Sequence, residues 1–260
     1  MNCENFNPAK KAMREGKKLS AAWLQAGSSI TAEIVARAGF DVGVIDMEHG
    51  PGDIMCLIHQ IQAMQGQPAV PFVRAPWNDM VIIKRILDAG AYGLIIPYVS
   101  SREEAEYACR AAQYPTAGVR GIAGSPRAPH YAVNSKEYFT KANDEIFVFS
   151  QIETPKAVEN LDEILKVERL DGIFIGPMDL SSSMGYFADP GNPEVQKTIA
   201  EIEKKVLAAG KILATVAGNW EDASAKYKRG YSMIISFSDT ANLAAIAGNM
   251  VQSFKKEFPG

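Results

Sequence analysis

The chain has little cysteine, little histidine and no long hydrophobic run. Its three cysteines, Cys3, Cys56 and Cys109, are scattered and odd in number among 260 residues. That argues against a disulfide framework and for buried, reduced thiols. The three histidines, His49, His59 and His130, stand far apart, and no cysteines cluster near them as a zinc site would need. No apolar stretch reaches the length that spans a bilayer. Met1–Lys18 is polar and lysine-bearing, unlike a secretory signal. The expectation is a cytoplasmic protein with no membrane partner. A net charge of −3 with no basic run argues against nucleic acid as a partner. No glycine-rich fingerprint follows the first apolar run, which argues against a dinucleotide site there.

What is present is a regular alternation. At 260 residues and 47% hydrophobic, the chain can form one large core, and α/β barrels reach this length as one domain. Apolar runs predict strands at Leu19–Gln25, Phe40–Met47, Ala69–Val73 and Tyr92–Val99. Four more are predicted around Ile146–Ile152, Leu170–Ile175, Lys211–Val216 and Tyr231–Phe237. Helical patterns lie between nearly all of them. Ser29, Asn78, Thr154 and Asn219 are read as helix caps, and Ser101 with Glu104 as a capping box. Gly39, Gly90, Gly210 and Gly230 are read as helix ends. Ile30, Ile34, Val35 and Ala38 form one side of the first of these helices. The last helix, from about Asp239 to Phe254, carries Leu243, Ile246, Met250 and Phe254. Tyr114–Asn143, rich in proline and glycine, breaks the rhythm as a long connection, with a short helix near Lys136–Lys141. Near-continuous apolar strands suit a parallel sheet covered on both faces. The fold class is α/β, a single-domain (β/α)8 TIM barrel over residues 1–260, with an open doubly wound sheet as the rival.

A barrel places its chemistry just after its strands. The second strand ends in Asp46, Glu48 and His49, the third in Arg74, the fifth in Gln151 and Glu153, and the sixth in Asp179. Asp88, late in a helix, lies further out. Glu153 and Asp179 follow neighbouring strands, and two carboxylates with waters suit Mg²⁺ or Mn²⁺; the plainer reading makes each acid a helix cap. Co²⁺ or Zn²⁺ has less support. His49 can serve as a general base or simply pack under a loop. Arg74 can clamp a carboxylate or an enolate, or pair with Asp46 or Glu48. The turn Gly176–Asp179 offers the amides of Met178 and Asp179 to an anion. Trp23 is either core or the wall of a pocket mouth. None of these strand-end positions offers a Schiff-base lysine.

Several segments carry a resemblance. They are D-M-E-H-G-P at Asp46–Pro51, P-F-V-R at Pro71–Arg74, I-K-R-I-L-D-A-G-A at Ile83–Ala91, Y-P-T-A-G-V-R-G at Tyr114–Gly121, Q-I-E-T at Gln151–Thr154 and G-P-M-D-L-S at Gly176–Ser181. In this order and spacing, over about Leu19 to Phe254, the chain resembles the HpcH/HpaI aldolases, metal-dependent pyruvate aldolases that act on 2-keto-3-deoxy acids. The resemblance implies a barrel whose dimers swap their last helix within a hexamer, a trimer of dimers. It implies Glu153 and Asp179 as metal ligands and Arg74 as the pyruvate and enolate clamp. His49 is implied as the acid/base group supported by Asp88, and Gln151 as a substrate or supporting contact. The Met178 and Asp179 amides would receive the pyruvate carboxylate, with Trp23 near the substrate and Asp46 and Glu48 behind the site. Gly124–His130 departs from the pattern of many members.

The chemistry this implies is cleavage of the C3–C4 bond of a 4-hydroxy-2-keto acid, with the developing enolate stabilised by a divalent ion and Arg74. His49 would take the C4 hydroxyl proton, directly or through a water held by the metal. Oxaloacetate decarboxylation gives the same enolate. A lyase of related fold using a CoA thioester or a decarboxylation-driven addition, and a keto-acid-binding barrel without turnover, are the other readings.

Overall fold

The structure is a computed structural model that describes residues 7–133 and 135–259. Eight parallel strands close into a barrel in sequence order, each paired with the next and the last with the first. The elements run α1 (Pro8–Arg14), β1 (Leu19–Leu24), α2 (Ser29–Arg37), β2 (Val42–Asp46), α3 (Ile54–Met64), β3 (Val70–Arg74), α4 (Met80–Asp88), β4 (Gly93–Ile96) and α5 (Arg102–Ala112). They continue through α6 (Ser135–Glu145), β5 (Phe147–Ile152), α7 (Pro155–Glu159), α8 (Leu161–Ile164), β6 (Gly172–Ile175), α9 (Pro177–Ser183) and α10 (Pro193–Ala208). Last come β7 (Ile212–Val216), α11 (Trp220–Arg229), β8 (Met233–Ser238) and α12 (Ala241–Glu257). This is the (β/α)8 barrel, and the closed strand order removes the open-sheet rival.

Side chains alternate across each strand, so one parity faces the barrel axis and the other faces the helices. The inner set includes Leu19 and Ala21, Val42 and Val44, Val70 and Phe72, Phe147 and Phe149, and Phe174. The outer set, including Leu24, Ile45, Val73, Leu94, Ile152 and Ile173, packs against the helices in one continuous core. Phenylalanines fill the interior, with Phe147 and Phe149 rings 4.4 Å apart and Phe72 and Phe147 5.7 Å apart. Each such buried ring contributes about 2–3 kcal/mol. The inner parity decides the site. Two steps beyond Ala21, Val44, Phe72 and Phe149 stand Trp23, Asp46, Arg74 and Gln151, and two beyond Gln151 stands Glu153.

The floor of the barrel is α1, which the polar reading of the first eighteen residues did not anticipate. Asn7 Oδ1 accepts from the Lys10 amide to cap it, and Ala9 and Met13 join the inner cluster. Lys10 is itself buried, and its Nζ donates to Ile146 O and to Asp171.

Several local expectations shift by one residue. Ser28, not Ser29, caps α2, and Asp79, not Asn78, caps α4, because each pair offers two cap-competent neighbours. Asn78 instead donates through Nδ2 to Glu104 O. On α2 the buried residues are Ala32, Val35 and Ala36, while Ile30 and Ile34 are exposed. The helix after β5 breaks into α7 and α8 at Asn160. The short helix near Lys136–Lys141 extends over Ser135–Glu145. Thr154, Ser101 and Asn219 cap as expected, and Gly230 closes α11 at φ +117°. Cys109 is buried, Cys56 is half-buried with its thiol donating to Gly27 O, and Cys3 lies outside the described residues. No helix among the described residues is long and apolar enough to cross a membrane.

Candidate active site

The C-terminal ends of β2, β3, β5 and β6 and the loops after them bring the predicted acids and Arg74 to one rim. Arg74 and Asp46 are register partners on adjacent strands. Their side chains form a two-pronged pair: Arg74 Nε donates to Asp46 Oδ1 at 2.9 Å and Nη2 to Oδ2 at 2.6 Å. Asp46 also accepts from Gln25 Nε2 and from the backbone amides of Glu48 and His49. Burial alone would raise the Asp46 carboxyl, but the Arg74 guanidinium, with Gln25 and the His49 amide, outweighs it and holds the group below the usual carboxylate range. Trp23 is half-buried. Its ring stacks under the guanidinium, 4.4 Å from Arg74 Cζ, and meets Phe174 edge-on at 6.1 Å.

Glu48 lies beside that pair, with Oε2 3.2 Å from Arg74 Nε. The Nε proton is already committed to Asp46, so Glu48 Oε2 is buried without a hydrogen-bond partner. Burial pushes Glu48 up to about 7; Arg74 opposes this, and the charges of Asp46 and Asp179 add to it. Glu153 is fully buried. Its Oε1 accepts from the Tyr98 backbone amide at 2.7 Å and its Oε2 from Gln151 Nε2. Burial again pushes this carboxyl up to about 7, against those two donors and with help from Glu48 and Asp179. Asp179 sits in the first turn of α9 and is half-buried. Its charge bears on both glutamates, so three carboxylates share one small region. Gly176, the turn between β6 and α9, leaves room for them: a Cβ there would lie 2.6 Å from Glu153 Oε2 and 3.0 Å from Gln151 Nε2. Met178, in the same first turn, is exposed.

Asp88 is not brought to this rim within the chain. It ends α4, and in a (β/α)8 barrel the helices run back toward the N-terminal face. Its Oδ1 accepts from Arg120 Nη2 at 2.8 Å, and Arg120 is buried between the Tyr114 and Tyr138 rings. Support for His49 from Asp88 has no contact within this chain to stand on; His49 is tied to Asp46 through its amide. Two contributors escaped the sequence. Gln25 follows the strand-end rule but was absorbed into the first apolar run. Tyr98 acts through its backbone amide, at φ +55°, so its residue type gives no sign of the role.

Among the described residues, no three or more His, Cys, Asp or Glu side chains are gathered closely enough to cage a metal. The donors nevertheless fit a hard divalent cation. Glu153 and Asp179 would supply carboxylate oxygens, and among the described residues Glu48 Oε2, 3.2 Å from Arg74 Nε, and Gln151 Oε1 are buried without a hydrogen-bond partner.

The HpcH/HpaI aldolase/citrate lyase family matches residues 19–245. The chain belongs to the HpcH/HpaI family. Membership makes it a carbon–carbon lyase of a family that is generally divalent-metal-dependent. A 4-hydroxy-2-oxo-heptane-1,7-dioate aldolase from Shigella sonnei is 39% identical over 248 residues, covering 95% of each chain. A 5-keto-4-deoxy-D-glucarate aldolase from Escherichia coli O157:H7 is 37% identical over 257 residues, 98% of this chain and 100% of that one. The crystal structure of an HpcH/HpaI aldolase/citrate lyase family protein from Burkholderia cenocepacia superposes with a TM-score of 0.92 at 31% identity, covering 96% of this chain and 99% of that one.

Proposed function

We propose that this HpcH/HpaI member cleaves a 4-hydroxy-2-keto acid to pyruvate and an aldehyde, using Mg²⁺ or Mn²⁺ held by Glu153 and Asp179. The observation that carries this is the strand-end rim where Glu48 lies 3.2 Å from Arg74 and the fully buried Glu153 closes against Gly176, the turn that begins the helix carrying Asp179. When bound, the cation supplies Lewis-acid stabilisation of the negative charge that grows on the keto oxygen.

The chain's own residues do the rest. The pyruvate carboxylate is received by the first-turn amides of Met178 and Asp179. Arg74 is fixed by Asp46 and Trp23, so its position is set before substrate arrives. Nε and one Nη2 proton are spent on Asp46, which leaves Nη1 and the second Nη2 proton for the oxygen that becomes the enolate. His49 accepts the proton of the C4 hydroxyl as the C3–C4 bond breaks, and the electron pair passes to the pyruvate half. Gln151 donates to Glu153 and keeps its carboxylate oriented. Decarboxylation of oxaloacetate reaches the same enolate without needing a base at C4.

The proposal extends to assembly. No residue of α12 is buried, and Leu243, Ile246, Met250 and Phe254 are all exposed. Such a stripe supports exchange of this helix between subunits in a hexamer built as a trimer of dimers, in a cytoplasmic enzyme. The test is pyruvate release from a panel of 4-hydroxy-2-keto acids and from oxaloacetate, with Mg²⁺ or Mn²⁺ and then with EDTA. Turnover that survives EDTA rejects the metal route; no turnover of any substrate rejects the aldolase.

A further inference from the structure

At the opposite end of the barrel from Arg74 and Glu153 lies a cavity of about 440 Å³. It opens between the starts of β3 and β4, beneath the loop that joins α5 to α6. Ile61 and Met64 of α3, Pro71 and Tyr92 give it an apolar wall, and Arg127 enters it from the loop. This volume falls within the range of sites for small organic ligands.

Arg127 is the anomaly. Its side chain is half-buried, and its recorded hydrogen bond is from Nη1 to Ala89 O at 3.2 Å. Among the described residues no carboxylate pairs with it. Arg120, seven residues earlier, shows what the same loop does with a structural arginine: it is buried and pairs with Asp88. Burial pushes the Arg127 guanidinium below its ordinary range. A guanidinium has five donors in a fork shaped for a carboxylate. One weak bond to a carbonyl leaves most of that fork unused in a partly dry place. The loop is also held in an unusual shape, with His130, Tyr131 and Ala132 in succession at φ +53°, +54° and +72°. Such a run persists only where its surroundings enforce it.

We propose that this cavity binds a small organic carboxylate with an apolar body: the carboxylate on the Arg127 fork, the hydrocarbon against Ile61, Met64 and Pro71. The site is separate from the catalytic rim. It nevertheless shares β3 with it, since Val70 at the start of that strand lines the cavity and Arg74 ends it.

The test is calorimetric titration of the full-length protein in EDTA with hexanoate and benzoate, each beside its neutral amide, hexanamide or benzamide. The expected result is that the acids bind and the amides bind at least about tenfold more weakly. In Arg127→Gln the acids weaken by at least about tenfold while the melting temperature stays within a few degrees, and Arg127→Lys falls between. Equal binding of acid and amide to the wild-type protein overturns the proposal, even if the glutamine variant fails to fold. So does unchanged acid binding in Arg127→Gln, which would place the probes at Arg74. No binding of any probe also overturns it. In that case, self-association that is lost in Arg127→Gln would identify a second copy of the chain as the occupant.

Discussion

At the N-terminal rim, Lys10 lies 2.9 Å from Asp171 and donates to Ile146 O, while Arg14 approaches the same aspartate at 3.2 Å. At the C-terminal rim, Glu48, Glu153 and Asp179 gather near one arginine whose fork is already taken by Asp46. Both regions bury charge, and both belong to the same barrel. Below, the buried lysine has its counter-charge within the chain and ties α1 to the strand ends. Above, the carboxyl groups outnumber the one arginine, and among the described residues Glu48 Oε2 and Gln151 Oε1 are buried without a hydrogen bond. Removing a charge below should damage the fold, and removing one above should damage the chemistry. Arg127 departs from this pattern at the lower end, as a cation with no partner acid among the described residues.

The sharpest way to break the contrast is Glu153→Gln. Turnover in a pyruvate-release assay is expected to fall by about 10³-fold, with the circular dichroism spectrum unchanged. Wild-type activity in that variant removes Glu153 from the metal assignment. Next is His49→Ala, expected to slow aldol cleavage by about 10²-fold and oxaloacetate decarboxylation much less, because only cleavage needs the base. Equal losses in the two assays would take the proton-accepting role from His49.

The matching change at the lower rim is Lys10→Met. It removes one of the two cations on Asp171 and the bond to Ile146 O, and should cost about 1–3 kcal/mol of stability, read by urea denaturation, while kcat of the folded fraction stays within about twofold of wild type. A stable but inactive Lys10→Met protein would reverse the comparison. The smallest effect is one of pH. Glu48 and Glu153 titrate near 7 in the folded, metal-free chain, above their value of 4.5. The folded state therefore holds more protons than the unfolded one between those values, and stability falls as pH rises through that window. Asp46 has the opposite sign, with stability lost as pH falls through its lowered value. Melting curves in EDTA should show the loss toward neutral pH, and added Mg²⁺ should reverse it. A melting temperature that is flat or rising from about pH 5 to about pH 8 in EDTA would contradict the crowding of the acids.

Much of this arrangement was open to reading. The eight-fold alternation was visible because strands covered on both faces carry continuous apolar runs. The strand-end rule placed Asp46, Glu48, Arg74, Gln151 and Glu153 correctly at one edge because parallel strands share a direction. A finer clue lay in parity: Phe147, Phe149, Gln151 and Glu153 stand two apart, so a core-facing row becomes a site-facing row at its end. What stayed hidden had a different character. Lys10 looked like a surface charge, because its buried aspartate lies 161 residues away in sequence. The partner of Asp88 within the chain, Arg120, lies 32 residues on, where spacing gives no sign of it. Tyr98 contributes only an amide, which every residue but proline possesses. The exposed Ile30 and Ile34 show the limit of helical periodicity, which finds an apolar stripe but not what covers it.

Gly176 shows how little separates an ordinary strand-to-helix turn from a working one. The carboxylate of Glu153 occupies the space where any other amino acid would put its first side-chain atom. Even alanine there would force the acid to swing away or the turn to open, and either movement would separate Glu153 from Asp179. Tolerance at this position is therefore a direct gauge of whether the two acids must act together: a protein that accepted a methyl group there and kept its turnover would not need them side by side.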